Sequence, residues 1–128
     1  MYSYVLIAIG SAVGGVARFW CSSWIAERAG ETFPWGTLAV NVGGSFLIGL
    51  IAGLAAPEGR FYLNPEWRQL LMIGVLGGFT TFSSFSLQTL MLLRDGDWLG
   101  AFANVALSVS ACLGAVWAGY AAAEALAA

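Results

Sequence analysis

The residues best suited to chemistry lie in one short stretch, GGFTTFSSFSLQTL, at positions 77–90. On a helix that advances about 100° per residue, this stretch places an aromatic stripe directly beside a hydroxyl stripe. The members are Phe79, Phe82 and Phe85 in the first stripe and Thr80, Ser83 and Ser86 in the second. Gly74, Gly77 and Gly78, just before the two stripes, are poor helix formers, so we expect the helix to break at these glycines and expose backbone carbonyls.

An interrupted helix inside a membrane is typical of an ion site, because exposed carbonyls are tolerated there only beside protein or a cavity. The stretch therefore predicts such a site. The alternative is that the phenylalanines simply face lipid.

Six further polar residues fall within apolar segments: Arg18, Asn41, Gln88, Asn104, Ser108 and Ser110. We expect them to face protein or water, since lipid does not satisfy polar groups. Hydroxyls are weak indicators because they can bond their own helix, whereas the amide of Asn41 cannot be satisfied so simply. Asn41 is therefore a candidate for the ion site or for a hydrogen bond between helices.

The composition indicates that these residues are held by helices in a membrane. The chain has 128 residues, of which 59% are hydrophobic and 9% charged. Its mean hydropathy is +0.80. These values are typical of a membrane protein, surrounded by lipid. With five basic residues, no lysine and no histidine, the chain lacks the material for a nucleic-acid surface or for imidazole chemistry.

Charged residues mark the ends of four apolar segments, since a charge at the bilayer centre costs roughly 2.5 to 3.5 kcal/mol. The segments run from Met1 to about Ala26, from Glu31 to Glu58, from Arg68 to Arg94 and from Asp97 to Glu124. Each is long enough for the roughly 20 residues that span a bilayer. The sequence predicts an all-α membrane protein with four transmembrane helices, forming one domain over 1–128.

Arginine bias, which normally sets orientation, is balanced in this chain. Arg60 and Arg68 lie on one side of the membrane, and Arg28 and Arg94 lie on the other. Such a balance is what a protein inserted both ways up would need, and its natural assembly is an antiparallel homodimer. A fixed topology set by other features is the alternative.

Four motifs resemble the CrcB, or Fluc, family of small fluoride channels. They are GGVARF (14–19), WGTLAVNVGGSFLIG (35–49), GVLGGFTTFSSFS (74–86) and NVALSVSACLG (104–114). The resemblance covers essentially the whole chain. It implies an antiparallel, dual-topology homodimer in the cell (inner) membrane with two pores for passive fluoride export. It also implies a structural sodium ion at the dimer centre, held by carbonyls at a break in the third helix.

The resemblance also assigns residues. It implies that fluoride contacts Asn41, Phe82, Phe85, Ser83, Ser84, Ser86 and Ser108, and that the carbonyls of Gly77 and Thr80 hold the sodium ion. Arg18 would either attract anions into a vestibule or act as a snorkelling anchor. Gln88 stands where the family often has a carboxylate, and Asn104 stands where other members have tyrosine, so neither receives a role.

This set of residues suits a small anion. An aromatic ring has a positive edge, and amide and hydroxyl groups donate hydrogen bonds without a full charge that would hold the anion too tightly.

Three other functions fit the sequence less well. A small dual-topology, proton-coupled drug exporter would need a carboxylate inside the membrane, whereas every Asp and Glu lies at a span end or in a loop. A purely structural subunit would leave the two stripes unexplained, and an enzyme would need a base beside a nucleophile. Cys21 and Cys112 show no metal-ligand spacing and are expected to be small buried hydrophobes.

Overall fold

The computed structural model describes residues 1–57 and 61–127, and within these ranges it is helical with no β-strand. Four spans are long and apolar enough to cross a membrane, as the sequence predicts. They are α1 (Tyr2–Ala29), α2 (Trp35–Leu54), a third span over Pro65–Arg94, and α6 (Trp98–Ala127). The chain is therefore a multi-pass membrane protein.

The third span is built from several helical pieces. A short α3 (Pro65–Arg68) leads into a π-helix (Gln69–Leu76), which continues into α4 (Gly77–Phe79). After two non-helical residues the span resumes as α5 (Phe82–Arg94). A π-helix of this length is rare, and such segments often occur at functional sites.

The interruption lies later in the chain than the glycine pattern predicts. Gly74 is in the π-helix, and Gly77 and Gly78 are in α4, so all three are helical. The extended residues are Thr80, with ψ 155°, and Thr81, with φ −150° and ψ 112°. The glycines instead allow close packing: a Cβ at Gly78 would lie 2.7 Å from the Ser11 carbonyl oxygen.

Two pairs of spans pack closely. α1 packs against the π-helix and α4, and α2 packs along α6. In the first pair a Cβ at Gly10 would lie 2.6 Å from the Leu70 carbonyl oxygen, and in the second a Cβ at Gly53 would lie 2.5 Å from the Ala123 Cβ. Small residues thus let the backbones approach, which drives helix association where lipid removes the hydrophobic difference.

Tight connections keep the spans adjacent. Gly30 follows α1 as its C-cap, with a φ of 89° that suits glycine, and the turn between α5 and α6 uses Gly96 with φ 81°. The Asp97 side chain accepts a hydrogen bond from the Gly100 N–H at 2.8 Å, which caps the start of α6. Glu58 and Arg60, which enter the border and orientation arguments, lie outside the described residues.

The two cysteines are free thiols, and each is half-buried rather than fully buried as the sequence suggested. Cys112 lines the cavity described below.

Candidate functional site

The break, by which we mean Thr80 and Thr81 with the side chains bonded to them, interrupts the third span. In a continuous α-helix each N–H bonds the carbonyl four residues earlier. The Thr80 N–H still follows this rule and donates to the Leu76 carbonyl at 3.0 Å. The Thr80 hydroxyl donates to the same oxygen, also at 3.0 Å. Regular helical bonding therefore ends after Thr80.

Asn41, from α2, takes both backbone groups of Thr81. The Thr81 N–H donates to Asn41 Oδ1 at 2.7 Å, and Asn41 Nδ2 donates to the Thr81 carbonyl at 3.1 Å. In a continuous helix that N–H would bond the Gly77 carbonyl. Asn41, which is half-buried, thus makes the contact between helices that was one of its two predicted roles.

The Thr81 side chain begins α5. Its Oγ1 accepts a hydrogen bond from the Ser84 N–H at 3.1 Å, the geometry of a helix N-cap. The same hydroxyl donates to Ser84 Oγ at 3.1 Å and lies 3.3 Å from Ser83 Oγ. The Ser84 N–H would otherwise bond the Thr80 carbonyl. A side chain has therefore replaced a backbone acceptor at this point.

Arg18 reaches the break from α1. Its Nε donates to the Gly78 carbonyl at 3.1 Å, and the residue is half-buried. The carbonyl end of a helix carries partial negative charge, so a cation there is favourable. The hydrogen bond gives Arg18 a contact with the break, which neither the vestibule nor the anchor hypothesis foresaw.

A cavity of about 390 Å³ opens beside the break. None of its lining residues is charged. It is lined by Asn41, Gly44, Ser45, Ile48, Leu76, Gly77, Thr80, Thr81, Phe82, Phe85, Ser108, Val109, Cys112 and Leu113. The rings of Phe82 and Phe85 lie with centroids 5.1 Å apart and planes tilted by 52°. Phe82 is 77% exposed, whereas Phe85 is 9% exposed.

The structure brings together six of the ten residues predicted for the site. Asn41, Gly77, Thr80, Phe82, Phe85 and Ser108 all line the cavity. The other four, Arg18, Ser83, Ser84 and Ser86, are outside its lining. The Ser86 hydroxyl instead donates to the Phe82 carbonyl of its own helix at 2.9 Å.

The α5–α6 bridge, formed by Thr89, Asn104 and Ser108, bonds the backbone of Phe85. Asn104 Nδ2 donates to Thr89 Oγ1 at 2.9 Å, and Thr89 Oγ1 donates to the Phe85 carbonyl at 2.8 Å. The Ser108 hydroxyl donates to Asn104 Oδ1 at 3.3 Å. Asn104 is 2% exposed and Ser108 is 7% exposed. The bridge thus joins α6 to the backbone that carries a cavity ring.

Sequence reasoning assigned no role to Thr81 or Thr89. A signal existed for Thr81, because threonine is one of the residues preferred at the N-cap of a helix. For Thr89 no comparable signal existed, since its partner lies on another helix.

A second cavity, of about 590 Å³, lies at the loop end of α1, α2 and α5. Three carboxylate residues line it, namely Glu31, Asp95 and Asp97, together with Gln88. The Gln88 Oε1 atom is buried and has no hydrogen-bond partner. Gln88 therefore belongs to this outer cavity rather than to the break.

Comparison of the whole sequence with known proteins identifies one family. Residues 5–120 match the sequence profile of the family described as CrcB-like protein, Camphor Resistance (CrcB). A protein of Paramagnetospirillum magneticum named fluoride-specific ion channel FluC is 57% identical over 123 residues, which cover 96% of each chain. A protein of that name from Opitutus terrae is 60% identical over 126 residues, covering 98% of this chain and 96% of the relative. The FluC of Methylocella silvestris is 55% identical over 123 residues, covering 96% of this chain and 94% of the relative. The chain belongs to the CrcB family.

Proposed function

We propose that this chain forms a fluoride channel, which lets fluoride leave the cell passively through the cell (inner) membrane and so lowers its toxicity. The observation that carries the proposal is the near full-length identity, 57% and 60%, to two proteins named fluoride-specific ion channel FluC. An ion pathway needs no catalytic group, so the proposal does not involve an enzyme.

Uncharged donors in the cavity support passage of a small anion. Asn41 Nδ2 carries two protons, and one of them is used on the Thr81 carbonyl. The second is available to a ligand in the cavity that Asn41 lines. An amide proton replaces part of the lost hydration of an anion without a full positive charge, so the anion can also leave.

The two cavity phenylalanines add a second kind of contact. A ring edge carries partial positive charge and attracts an anion, whereas a ring face repels it. Phe82 and Phe85 are tilted by 52° to each other, so their edges point in different directions. Their different exposure, 77% and 9%, means that only the Phe82 ring has room to reorient within one chain.

The assembly we propose is an antiparallel homodimer with two pores. Phe82 is 77% exposed, and Gly77 and Ser83 are also exposed, although all three lie within a membrane span. A second copy would cover these groups better than lipid, which cannot bond a hydroxyl or a carbonyl. The arginine balance in the sequence fits the same assembly, with Arg60 outside the described residues.

A structural sodium ion at the dimer centre is part of the proposal. Sodium in membrane proteins is often coordinated by carbonyls of unwound helices. The carbonyls of Gly77 and Thr80 fit, because the N–H groups that would bond them in a continuous helix donate to Asn41 and Thr81 instead. Within 1–57 and 61–127, no group of three or more His, Cys, Asp or Glu side chains could hold a metal ion, so backbone oxygens would have to serve. The bound ion would supply positive charge between two anion paths.

Fluoride efflux from liposomes that contain the purified protein tests the function. An ion-selective electrode should record efflux far faster than from empty liposomes made in the same way. Efflux no faster than from empty liposomes would overturn the proposal. The rival drug exporter would need a proton gradient and a membrane-embedded acid, so fluoride efflux without a proton gradient also separates the two.

Orientation is tested by adding lysines to one side. Glu31→Lys with Thr32→Lys changes two exposed loop residues and spares Gly96 and Asp97, which shape the other loop on that side. The positive-inside effect should force one orientation. We expect this chain to lose efflux alone and to regain it when co-expressed with a chain carrying two lysines in the 57–67 loop. Full activity of the biased chain alone would exclude dual topology.

A further inference from the structure

The backbone carbonyls at the break fall into two groups, according to whether the protein supplies each with a hydrogen-bond donor. The first group is occupied: the Leu76 carbonyl accepts from the Thr80 N–H, the Gly78 carbonyl from Arg18 Nε, and the Thr81 carbonyl from Asn41 Nδ2. The donors to this group belong to the break itself, to α1 and to α2. Each of these oxygens is therefore already satisfied by the protein.

The second group has had its donors removed. The N–H of Thr81 would bond the Gly77 carbonyl in a continuous helix, but it donates to Asn41 Oδ1 at 2.7 Å. The N–H of Ser84 would bond the Thr80 carbonyl, but it donates to Thr81 Oγ1 at 3.1 Å. The same two carbonyls, and not the Gly78 carbonyl between them, are those assigned to sodium in the proposed function.

We propose that Thr81 is a positioning residue for the sodium site, because its hydroxyl holds the Ser84 N–H away from the Thr80 carbonyl. The inference rests on the proposed function, since it concerns the sodium ion of that dimer. Thr81 does not ligate the ion through its side chain. Its extended backbone, with φ −150° and ψ 112°, and its N-cap bond together keep α5 from extending by two residues to include Thr80.

An ordinary helix cap would stabilise the protein equally with and without sodium. A positioning residue has a different signature, because its loss weakens the effect of sodium itself. The difference in unfolding temperature between sodium chloride and N-methylglucamine chloride is therefore the measurement that separates the two roles. Ligand binding to the folded state stabilises it by RT ln(1 + [L]/Kd), so the unfolding temperature starts to rise when the sodium concentration reaches the dissociation constant. We call that concentration the sodium midpoint, and the six tryptophans provide a fluorescence signal for it.

The test variant is Thr81→Val, which keeps the branched shape and removes the hydroxyl. The Ser84 N–H is then free to bond the Thr80 carbonyl, which takes a ligand from the ion. We expect the sodium midpoint for thermal stabilisation to rise about tenfold or more, the usual scale for losing one hydrogen bond to a charged group. Size-exclusion chromatography should show the dimer dissociating at sodium concentrations where the unchanged protein stays dimeric.

Two controls keep the interpretation specific. Thr81→Ser retains the acceptor oxygen and should restore the sodium midpoint. Thr89→Val removes the hydroxyl that bonds the Phe85 carbonyl on the same helix. It should lower the unfolding temperature in both salts and leave the sodium midpoint unchanged. If Thr81→Val does not fold, Thr81→Gly replaces it, because glycine at an N-cap lowers stability by only about 0.3 kcal/mol relative to threonine.

An unchanged sodium midpoint in Thr81→Val, or in Thr81→Gly, would overturn the inference. A midpoint raised equally by Thr81→Ser and Thr81→Val would overturn it as well, because the hydroxyl would then not matter. Fluoride efflux of the unchanged protein, measured in parallel, separates this failure from failure of the proposed function. Efflux without any sodium-dependent shift removes the sodium site and this inference, whereas absence of efflux removes the channel.

Discussion

The break and the α5–α6 bridge each centre on one asparagine, yet the two amides act on different partners. Asn41 bonds the N–H and carbonyl of Thr81, both of which are backbone groups. Asn104 bonds the side chains of Thr89 and Ser108. Asn41 is half-buried beside a cavity, whereas Asn104 is 2% exposed.

The difference shows what a buried amide does to the helix it contacts. A bond to another side chain leaves the helical backbone intact and only joins two helices, as the bridge does. A bond to a backbone N–H removes that group from its helix and leaves a carbonyl without its usual donor, as the break does. Because an unsatisfied backbone group in lipid costs several kcal/mol, the second arrangement persists only where protein, water or an ion supplies the missing partner.

The largest expected effect comes from Asn41→Asp. The side chain keeps an oxygen for the Thr81 N–H, but a second oxygen replaces the amide nitrogen opposite the Thr81 carbonyl. A carboxylate would repel fluoride, and either protonation state lacks the spare amide proton. We expect fluoride efflux per folded dimer to fall by at least about a hundredfold, on the scale of one or two hydrogen bonds to a charged ligand.

The matched change at the other asparagine, Asn104→Asp, provides the comparison. It removes the donor to Thr89, and neither Asn104 nor Thr89 lines the cavity, so it should lower the unfolding temperature with a much smaller loss of efflux per folded dimer. Efflux and gel-filtration profiles for both variants make the test. If the two variants lose efflux equally, the distinction between the break and the bridge is wrong.

The next effect distinguishes the two cavity rings. Phe82→Ile keeps an apolar side chain and removes the aromatic edge. Because Phe82 is 77% exposed within one chain, the free energy of unfolding of the chain should change by about 0.5 kcal/mol or less, apart from any loss at the contact with the second copy. Phe85→Ile alters a residue that is 9% exposed and should cost roughly 1 to 2 kcal/mol. We expect both to reduce efflux strongly.

Phe79→Ile is the control for the ring variants, since Phe79 precedes the break and does not line the cavity. Its efflux should exceed that of Phe82→Ile and Phe85→Ile. Near-normal efflux from all three would mean that the rings only pack, and conduction would then depend on Asn41 and the hydroxyls.

The sequence predicts the spans well because a physical rule with a large energy sets them. A charge inside lipid is costly, so the stretches between charged residues correspond to the helices, and the third span ends at Arg94 as expected. The glycine pattern also indicates an interrupted third span. It misplaces the interruption, because Gly77 and Gly78 remain helical under the packing of α1.

The partners that fix the interruption could not be inferred from local pattern. Arg18 and Gly78 are 60 positions apart, and Asn41 and Thr81 are 40 apart. Hydrophobic periodicity shows which face of one helix is apolar, but it does not show which other helix that face contacts. The Asn104–Ser108 contact is different, since four-residue spacing places both side chains on one face of α6.

Thr89→Val should have a moderate effect that is confined to stability. The change leaves Asn104 Nδ2 buried without its acceptor, which costs about 1 to 3 kcal/mol. The Phe85 carbonyl retains its helical donor, so the ring should move little. We expect a lower unfolding temperature and nearly unchanged efflux per folded dimer. A loss of efflux as large as that of Phe85→Ile would show that the bridge positions the ring as well as joining the helices.

The smallest effect is expected at Ser108, which the family resemblance places on the fluoride path. The residue lines the cavity, but its hydroxyl proton is directed to Asn104 Oδ1 at 3.3 Å. A hydroxyl has one proton, so Ser108 can donate to fluoride only by giving up Asn104. Ser108→Ala should therefore cost about 1 kcal/mol of stability, through the unbonded amide oxygen, and reduce efflux only slightly.

Ser110→Ala is the matched control for Ser108→Ala, because Ser110 is an exposed serine on the same helix and outside the cavity lining. Both variants are compared by efflux per folded dimer and by unfolding temperature. A sharp fall in efflux for Ser108→Ala, with Ser110→Ala unchanged, would mean that the hydroxyl leaves Asn104 when fluoride passes. The bridge would then belong to the ion path. Both asparagines would influence fluoride passage, Asn41 through the backbone of Thr81 and Asn104 by competing with fluoride for the Ser108 hydroxyl proton.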